Sequence, residues 1–330
     1  MKILITGSSG LIASAIIPFL EADGHIIRGF DIRPSPSGNN TSFIAEDITD
    51  SKARQNAIKD IDGVIHLAAV SRVLDAEQDP AKCFDINVKG TMSVLSDLAK
   101  LDNPPWVIYG SSREVYGFAS TMPVSEEQSL KPVNIYAESK VASESLIRNY
   151  ARLTNRPAII LRFSNVYGSI HDHATRVIPA FVRASVTGNE IRIDGEDHTF
   201  DFTHVDDIAR TIRASVEHIE DGTLAGIETM NVVSGKGTTL KQLANLVKSI
   251  SGAEIPITRG IPRNFDVDHF IGDPSHLEDM LGICCDTPLS TGIERLMNDF
   301  RASINIRDIT ATHIKTSHKL VPAAMQEASL

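Results

Sequence analysis

The chain has 330 residues, 42% of them hydrophobic, so it can bury a large core and is long enough for two lobes. Its formal net charge of −10 argues against a nucleic acid or an anionic membrane as a partner. It contains no run of about 18 apolar residues, the length that spans a bilayer. The three cysteines, Cys83, Cys284 and Cys285, match neither a disulfide framework nor a metal-binding pattern. We therefore expect a cytoplasmic protein with no bound metal.

A strand–turn–helix pattern opens the chain. Residues 1–5 form an apolar run, a Gly/Ser turn follows, and a helix is predicted over residues 11–22. A dinucleotide pyrophosphate can bind at such a turn, because free backbone N–H groups and the positive end of the helix dipole converge there. Gly7 would let the turn close, Gly10 would let the backbone approach the phosphates, and Ala13 meets the need for a small residue.

The second predicted strand, residues 25–30, ends in Asp31. An acidic side chain at this strand end accepts hydrogen bonds from a ribose 2′-hydroxyl and repels a 2′-phosphate, so NAD is favoured over NADP. Arg33 could favour NADP, but we expect it to be a solvated loop charge. Glycine-rich turns are common, and the prediction depends on the strand, the helix and Asp31 occurring together.

Strand and helix signals continue to alternate through the first half. Further strands are predicted at residues 42–45, 63–69, 106–110 and 158–163, and helices at residues 82–100 and 136–153. Strands that are apolar throughout indicate a parallel sheet covered on both faces. The predicted fold is α/β: a Rossmann-like, doubly wound parallel sheet with its ligand crevice at the carboxyl ends of the strands. Pro18 should kink the first helix, since it removes one backbone hydrogen bond.

The second half has a looser pattern. Strands are predicted at residues 191–193, 230–233 and 255–258, and helices at residues 174–187, 205–217, 240–251 and 291–302. We interpret residues 1–168 as the NAD-binding domain, with segments of about 203–235 returning to it. Residues 169–202 and 236–302 are predicted to form a smaller C-terminal substrate-binding lobe. Residues 303–330 are predicted to be a surface extension or a partly disordered tail.

Tyr136 and Lys140 lie four residues apart in a predicted helix and so share a face. A neighbouring ammonium, together with the positive nicotinamide ring, would lower the pKa of the phenol, which can then take the proton of a substrate hydroxyl while hydride passes to NAD. The alternative is an ordinary helix with a half-buried Tyr and a solvated Lys. Ser111 and Ser112 follow the strand at 106–110, where a hydroxyl can assist this proton transfer. For Ser111, a role as a turn former is equally open.

Several motifs occur in order along the chain: Thr-Gly-x-x-Gly-x-x-Ala, Asp31, His-Leu-Ala-Ala at 66–69, Asn-Val-Lys-Gly-Thr at 87–91, Ser-Ser-x-x-Val-Tyr-Gly at 111–117, Tyr-x-x-x-Lys, and Leu-Arg-Phe-Ser-Asn-Val-Tyr-Gly at 161–168. With these motifs, from Met1 to about Phe300, the chain resembles the extended short-chain dehydrogenase/reductase family, in its nucleotide-sugar epimerase/dehydratase branch.

The resemblance implies a set of site residues. The implied catalytic residues are Ser112, Tyr136 and Lys140, with Glu114 as a further candidate. The implied NAD-binding residues are Gly7, Ser9, Gly10, Leu11, Ile12, Asp31, Asp47, Ile48, Leu67, Ala68, Ala69, Asn87, Tyr136, Lys140 and Phe163. The implied substrate-binding residues are Ser111, Ser112, Asn165, Arg176, Val177 and Arg263.

The chain departs from the family pattern at Phe200. Many relatives carry an Arg there that holds the substrate diphosphate, or a sugar carboxylate in the decarboxylases. The absence of this Arg argues against the hypothesis that the chain is a UDP-glucuronate decarboxylase. We predict that Arg176 and Arg263 replace it, because a guanidinium binds phosphate in bidentate fashion. The alternative for both is an ordinary surface arginine.

Glu114 decides between two reactions. In the resembling dehydratases a Glu at this position removes a sugar proton, but an Asp acid precedes it, and here that residue is Arg113. Glu114 could instead form an ion pair with Arg113 that holds the loop. The predicted function is therefore an NAD-dependent nucleotide-sugar 4-epimerase, with a UDP-sugar as substrate, acting as a homodimer. A dehydratase or related lyase using Glu114 and a non-catalytic NAD-binding protein remain alternatives.

Overall fold

The computed structural model describes residues 1–34, 42–260 and 267–317. Within these ranges, seven strands form one sheet: β1 (Lys2–Thr6), β2 (Ile26–Asp31), β3 (Ser42–Ala45), β4 (Gly63–His66), β5 (Trp106–Ser112), β6 (Ala158–Phe163) and β10 (Ile227–Val232). Their order in the sheet is β10-β6-β5-β4-β1-β2-β3, and all neighbouring pairs are parallel. The predicted doubly wound parallel α/β sheet is confirmed.

Five further short strands form two small sheets within the described residues. The strands are β7 (Asn165–Tyr167), β8 (Ile191–Asp194), β9 (Thr199–His204), β11 (Gly237–Thr239) and β12 (Ile257–Gly260). One sheet has the order β11-β9-β7, and β12 pairs with β8 in the other. β7, β9 and β11 were not predicted from the sequence: β7 and β11 have three residues each, and β9 contains three polar residues and a histidine in place of a continuous apolar run.

Helices surround these sheets. They are α1 (Leu11–Ala22), α2 (Ser51–Ala57), α3 (Val73–Gln78), α4 (Pro80–Phe84), α5 (Thr91–Leu98), α6 (Ile135–Thr154), α7 (Val177–Thr187), α8 (Val205–Glu220), α9 (Leu240–Ser251), α10 (Ser275–Leu281) and α11 (Leu289–Ser317). Helix α1 continues through Pro18. The backbone of α11 extends to Ser317, beyond the helix predicted to end at residue 302. No helix in the described ranges is long and apolar enough to cross a membrane.

Alternate residues of β1 enter two different cores. Ile3 and Ile5 pack with apolar residues of α1, α8 and α10 on one face of the large sheet. Leu4 packs with residues of α2, α5 and α6 on the other face. This division follows from the period of two along a strand, which sends successive side chains to opposite faces. A third core joins α7, α9 and α11 to β8 and β9.

The helix predicted over residues 82–100 contains a π-helical segment. A π-helical segment, Asp85–Gly90, separates α4 from α5. Within it, the Asn87 carbonyl accepts hydrogen bonds from the hydroxyls of Thr91 (2.6 Å) and Ser143 (2.8 Å). The backbone is therefore helical throughout residues 80–98, close to the predicted range, and apolar spacing along the chain could not reveal the π-helical segment.

Candidate active site

A cavity of about 1140 Å³ lies at the carboxyl ends of β1, β2, β4, β5 and β6. It extends from the β1–α1 turn, past the end of β5, to the first turn of α7. Pockets for single drug-sized ligands reach about 1000 Å³, so this cavity has room for more than one such molecule. Its position is the one expected for ligands of an open parallel sheet.

Gly7 shapes the end of the cavity nearest α1. Its φ is +71°, and a Cβ there would come within 2.8 Å of the Ala68 backbone nitrogen. The Gly7 N–H donates to the Phe30 carbonyl at 2.8 Å, and the Gly10 N–H donates to the Gly7 carbonyl at 2.9 Å. The turn can therefore pack this closely against the neighbouring loop only with glycine at position 7.

Asp31 is buried beside this turn at the end of β2. It accepts hydrogen bonds from the N–H groups of Ser9 (3.0 Å) and Arg33 (2.9 Å). A carboxylate has about four acceptor positions, so Asp31 keeps capacity for a ribose hydroxyl. Arg33 Nε lies 3.6 Å from Asp31, and its Nη2 donates to the Ser9 carbonyl at 3.0 Å. The Arg33 side chain is 58% exposed, as expected for a solvated loop charge, and it makes these two contacts at the surface.

The loop after β4 forms the next part of the wall. Leu67, Ala68 and Ala69 line the cavity, as do Asp47 and Ile48 from the loop after β3. The residues fit NAD: a glycine turn without space for a Cβ, an acidic strand end and an apolar wall meet at one crevice.

His66 supports this wall from the core. Its Nδ1 lies 2.7 Å from Thr6 Oγ1, and its Nε2 lies 2.9 Å from Thr91 Oγ1. Burial, with the nearby Lys140 charge, lowers the pKa of His66 to about 3. It is therefore a neutral hydrogen-bonding residue at physiological pH.

Tyr136, Lys140 and Ser112 meet on the cavity wall. Asn134 caps the N-terminus of α6: its side chain accepts the Ala137 N–H at 2.9 Å and so fixes the turn that carries Tyr136. The Lys140 ammonium donates to the Gly110 carbonyl at 2.8 Å and lies 5.7 Å from the centre of the Tyr136 ring.

Burial dominates the pKa values of this group. It raises the pKa of Tyr136 to about 12, although the Arg176 charge and a hydrogen bond with Ser112 act in the opposite direction. It lowers the pKa of Lys140 to about 8. Without NAD, the desolvation of the phenolate outweighs the neighbouring positive charges. The expected lowering of this pKa by Lys140 together with the nicotinamide ring stays a prediction.

Ser111 and Ser112 face different surroundings. The Ser111 hydroxyl donates to Glu144 at 2.6 Å, and the same carboxylate accepts two hydrogen bonds from Arg162, at 2.9 and 2.7 Å. Tyr116 extends this buried network, because its hydroxyl accepts a hydrogen bond from Arg162 Nη1 at 2.8 Å. Ser111 lines the cavity, but its hydroxyl is already engaged in the hydrogen bond to Glu144.

Glu114 is held on both of its carboxylate oxygens. Arg113 Nη2 lies 2.8 Å from one oxygen, and Asn134 Nδ2 donates to the other at 3.1 Å. This is the ion pair considered as an alternative to a catalytic base.

The predicted substrate residues lie near the first turn of α7. Asn165, Arg176 and Val177 line the cavity, and Phe200 lies on the same wall. Arg176 pairs with the buried Asp172 at 3.2 Å, and its Nη2 donates to the Ser71 carbonyl at 3.2 Å. Its side chain is 32% exposed, so it combines a fixed position with access to the cavity. Arg263 lies outside the described residues.

Two predicted NAD-binding residues are not on the cavity wall. Ser9 uses its N–H on Asp31 and its hydroxyl on the carbonyls of Arg33 and Pro34. Asn87 is buried behind the loop after β4, where its Oδ1 accepts the Val70 N–H at 2.8 Å. Their direct contact with a cofactor stays a prediction.

Arg113 and residues 70–75 and 171–173 also line the cavity, although the sequence did not indicate them as site residues. Arg113 directly follows the candidate serines, a signal that could have found it. The two loops approach each other only through tertiary packing.

The sequence profile of the NAD-dependent epimerase/dehydratase family matches residues 3–232. The chain belongs to this family. It is an NAD-dependent enzyme, and the predicted family, enzyme class and cofactor are confirmed.

Similar proteins with a named reaction align with most of this chain. The UDP-glucose 4-epimerase of Mycolicibacterium smegmatis is 29% identical over 317 residues, covering 91% of this chain and 99% of the relative. The UDP-glucose 4-epimerase of Thermotoga maritima, solved with UDP-glucose, is 26% identical with a TM-score of 0.86, covering 92% and 100%. The UDP-glucuronic acid 4-epimerase of Bacillus cereus, solved with UDP-glucuronic acid and NAD, is 25% identical with a TM-score of 0.83, covering 92% and 99%.

Proposed function

We propose that this chain is an NAD-dependent nucleotide-sugar 4-epimerase that acts on UDP-sugars. The observation that carries the proposal is the convergence of Tyr136, Ser112 and Lys140 on the wall of a cavity that also contains a dinucleotide-binding turn. The reaction agrees with that of the similar 4-epimerases, whose names specify UDP-sugars.

Tyr136 is the proposed acid–base group. Its phenolic oxygen takes the proton of the sugar 4-hydroxyl and later returns it, and Ser112 shares a hydrogen bond with it. NAD, when bound, supplies the reversible hydride acceptor and, in its oxidised form, a positive charge. Such a charge lowers the pKa of a neighbouring phenol, and Lys140 acts in the same direction while it is protonated.

The diphosphate is the proposed ligand of Arg176, with Val177 and Asn165 beside it on the wall. A guanidinium that is already oriented by Asp172 and the Ser71 carbonyl loses little freedom when it binds a phosphate oxygen. Arg263 keeps its proposed role as a second phosphate ligand on the sequence argument alone.

Dehydration is the less favoured reaction. Loss of water from the sugar needs a base and a nearby acid, but Glu114 is already engaged by Arg113 and Asn134. Arg113 occupies the position of the acid, and a guanidinium does not give up its proton at physiological pH. The presence of Ser112, Tyr136 and Lys140 on the cavity wall also argues against a non-catalytic NAD-binding protein, which has no need of a base.

We also propose that the protein is a homodimer and that it is located in the cytoplasm. Phe84 and Met92, on α4 and α5, and Leu153, on α6, are apolar side chains that the monomer leaves exposed. Burial of such residues against a second copy would support a dimer. Three free thiols, Cys83, Cys284 and Cys285, are compatible with a reducing compartment.

The proposal is tested by incubating the purified protein and NAD with UDP-, dTDP-, GDP- and CDP-sugars. Mass spectrometry and NMR distinguish the reactions: unchanged mass with a new sugar spin system indicates epimerisation, and loss of 18 mass units, about one water, indicates dehydration. Turnover of a UDP-sugar without a change in mass is expected. Loss of water, or no turnover of any nucleotide sugar, would contradict the proposal. Light scattering gives the oligomeric state in the same preparation.

A further inference from the structure

The helix that carries Tyr136 is held at its first turn by a carboxylate from another helix. Glu77, near the end of α3, accepts the Ile135 N–H at 2.8 Å. Ile135 is the first residue of α6 and directly precedes Tyr136. The first N–H groups of a helix have no partner within the helix, and a carboxylate there also interacts favourably with the positive end of the helix dipole. Glu77 therefore fixes the backbone next to Tyr136 from outside α6.

The same segment of α3 also packs beside the Tyr136 side chain. Ala76, which precedes Glu77, is fully buried and belongs to one apolar cluster with Tyr136 and Cys83. Helices α3 and α6 therefore meet at two adjacent points, the Ile135 N–H and the apolar surroundings of the phenol. A shift of α6 relative to α3 would change the position of the phenol in the cavity.

Glu77 itself does not reach the cavity. Its neighbours Val73, Leu74 and Asp75 line the wall, and Glu77 does not. Its side chain is directed to the backbone of α6, where it accepts the Ile135 N–H. Any effect of Glu77 on the reaction must therefore pass through α6.

The cap of α6 does not replace this contact. The Asn134 side chain accepts the Ala137 N–H at 2.9 Å and donates to Glu114 at 3.1 Å, so it ties the first turn to the end of β5. The Ile135 N–H is bound by Glu77 instead. The first turn of α6 is therefore held from two directions, by the β5 side and by α3.

We propose that Glu77 is a positioning residue for the epimerase reaction, which fixes the first turn of α6 so that the Tyr136 phenol meets the sugar 4-hydroxyl. This inference rests on the proposed function, in which Tyr136 is the acid–base group. Proton transfer needs the two oxygens within hydrogen-bond reach. A misplacement of about 1 Å can lower a rate by about a hundredfold, so one hydrogen bond that sets the position of this turn matters for kcat.

The test compares three variants, with UDP-glucose and UDP-glucuronic acid as substrates. Glu77→Ala should lower kcat by roughly tenfold or more, with KM and the Kd for NAD within about twofold of wild type. Glu77→Gln keeps an oxygen that can accept the Ile135 N–H, so its kcat should stay within about threefold of wild type. Asp50→Ala is the matched control: Asp50 caps α2, accepting the Ala53 N–H at 2.8 Å, and does not line the cavity, so kcat should not change.

Hydrogen exchange, measured by mass spectrometry on peptides that cover residues 134–140, needs no turnover. Glu77→Ala should speed exchange at the start of α6, whereas Glu77→Gln and Asp50→Ala should not. A kcat for Glu77→Ala within about threefold of wild type, or a loss that Glu77→Gln shares, overturns the inference while epimerisation stands. If the wild type epimerises neither sugar, the proposed function fails. Unchanged exchange in Glu77→Ala would then separately overturn the role of Glu77 in holding this turn.

Discussion

The two ends of the cavity are built in different ways. At the cofactor end, the polar groups around Gly7 and Asp31 bind one another at the ends of adjacent strands. At the sugar end, groups from distant segments meet, and two of their buried polar atoms, Arg113 Nη1 and Asp172 Oδ2, have no partner among the described residues. The turn at the cofactor end also keeps one buried hydroxyl, Ser8 Oγ, without a partner in the described part of the chain. The two ends therefore differ mainly in how far apart in the chain their contacting residues lie.

Removing the proposed acid–base group should have the largest effect, because it should impair catalysis at the sugar end and leave cofactor binding intact. Tyr136→Phe should lower kcat by roughly 10²–10⁴-fold, the usual contribution of such a group, while the Kd for NAD changes little. Tyr150→Phe is the control on the same helix, because the Tyr150 hydroxyl binds the Pro105 carbonyl in the core. If Tyr136→Phe retains more than a few per cent of activity, the base lies elsewhere.

The second prediction tests the cofactor end alone. Gly7→Ala should weaken NAD binding by roughly tenfold to a hundredfold, because the new Cβ collides with the backbone of the loop at Ala68. Gly24→Ala is a matched control, since Gly24 also has positive φ, +85°, but no atom within 4 Å of the added Cβ. Titration with NAD measures both variants. Equal losses of affinity would show that strain alone is responsible and that the close approach is unimportant.

The third prediction tests the diphosphate contact. Arg176→Ala should raise KM for the UDP-sugar by about tenfold, the loss of one charge-assisted hydrogen bond, with a smaller effect on NAD affinity. Arg183→Ala, later in α7, removes an arginine that lies 5.5 Å from the Phe300 ring and does not line the cavity. Steady-state kinetics of the two variants should differ in KM. A similar KM for both would remove Arg176 from the substrate site.

The sequence predicted the cofactor half more completely than the sugar half. A glycine turn, an apolar strand and Asp31 lie within 31 residues, and a parallel sheet necessarily brings successive strand ends to one edge. Tyr136 and Lys140 could also be paired from their spacing on one helix. The spacing could not show whether the pKa of Tyr136 is raised or lowered, because desolvation depends on all the groups packed around the phenol.

The arrangement at the sugar end was decided by tertiary structure. Ser111 and Ser112 are adjacent, but the first donates to Glu144, 33 residues away, and only the second is close to Tyr136. Glu114 could be a base or an ion-pair partner until the contacts with Arg113 and Asn134 were known. Local sequence determines strands, turns and helix faces through short-range sterics and hydrogen bonding. Which buried charges find partners depends on segments that meet only when the chain is packed.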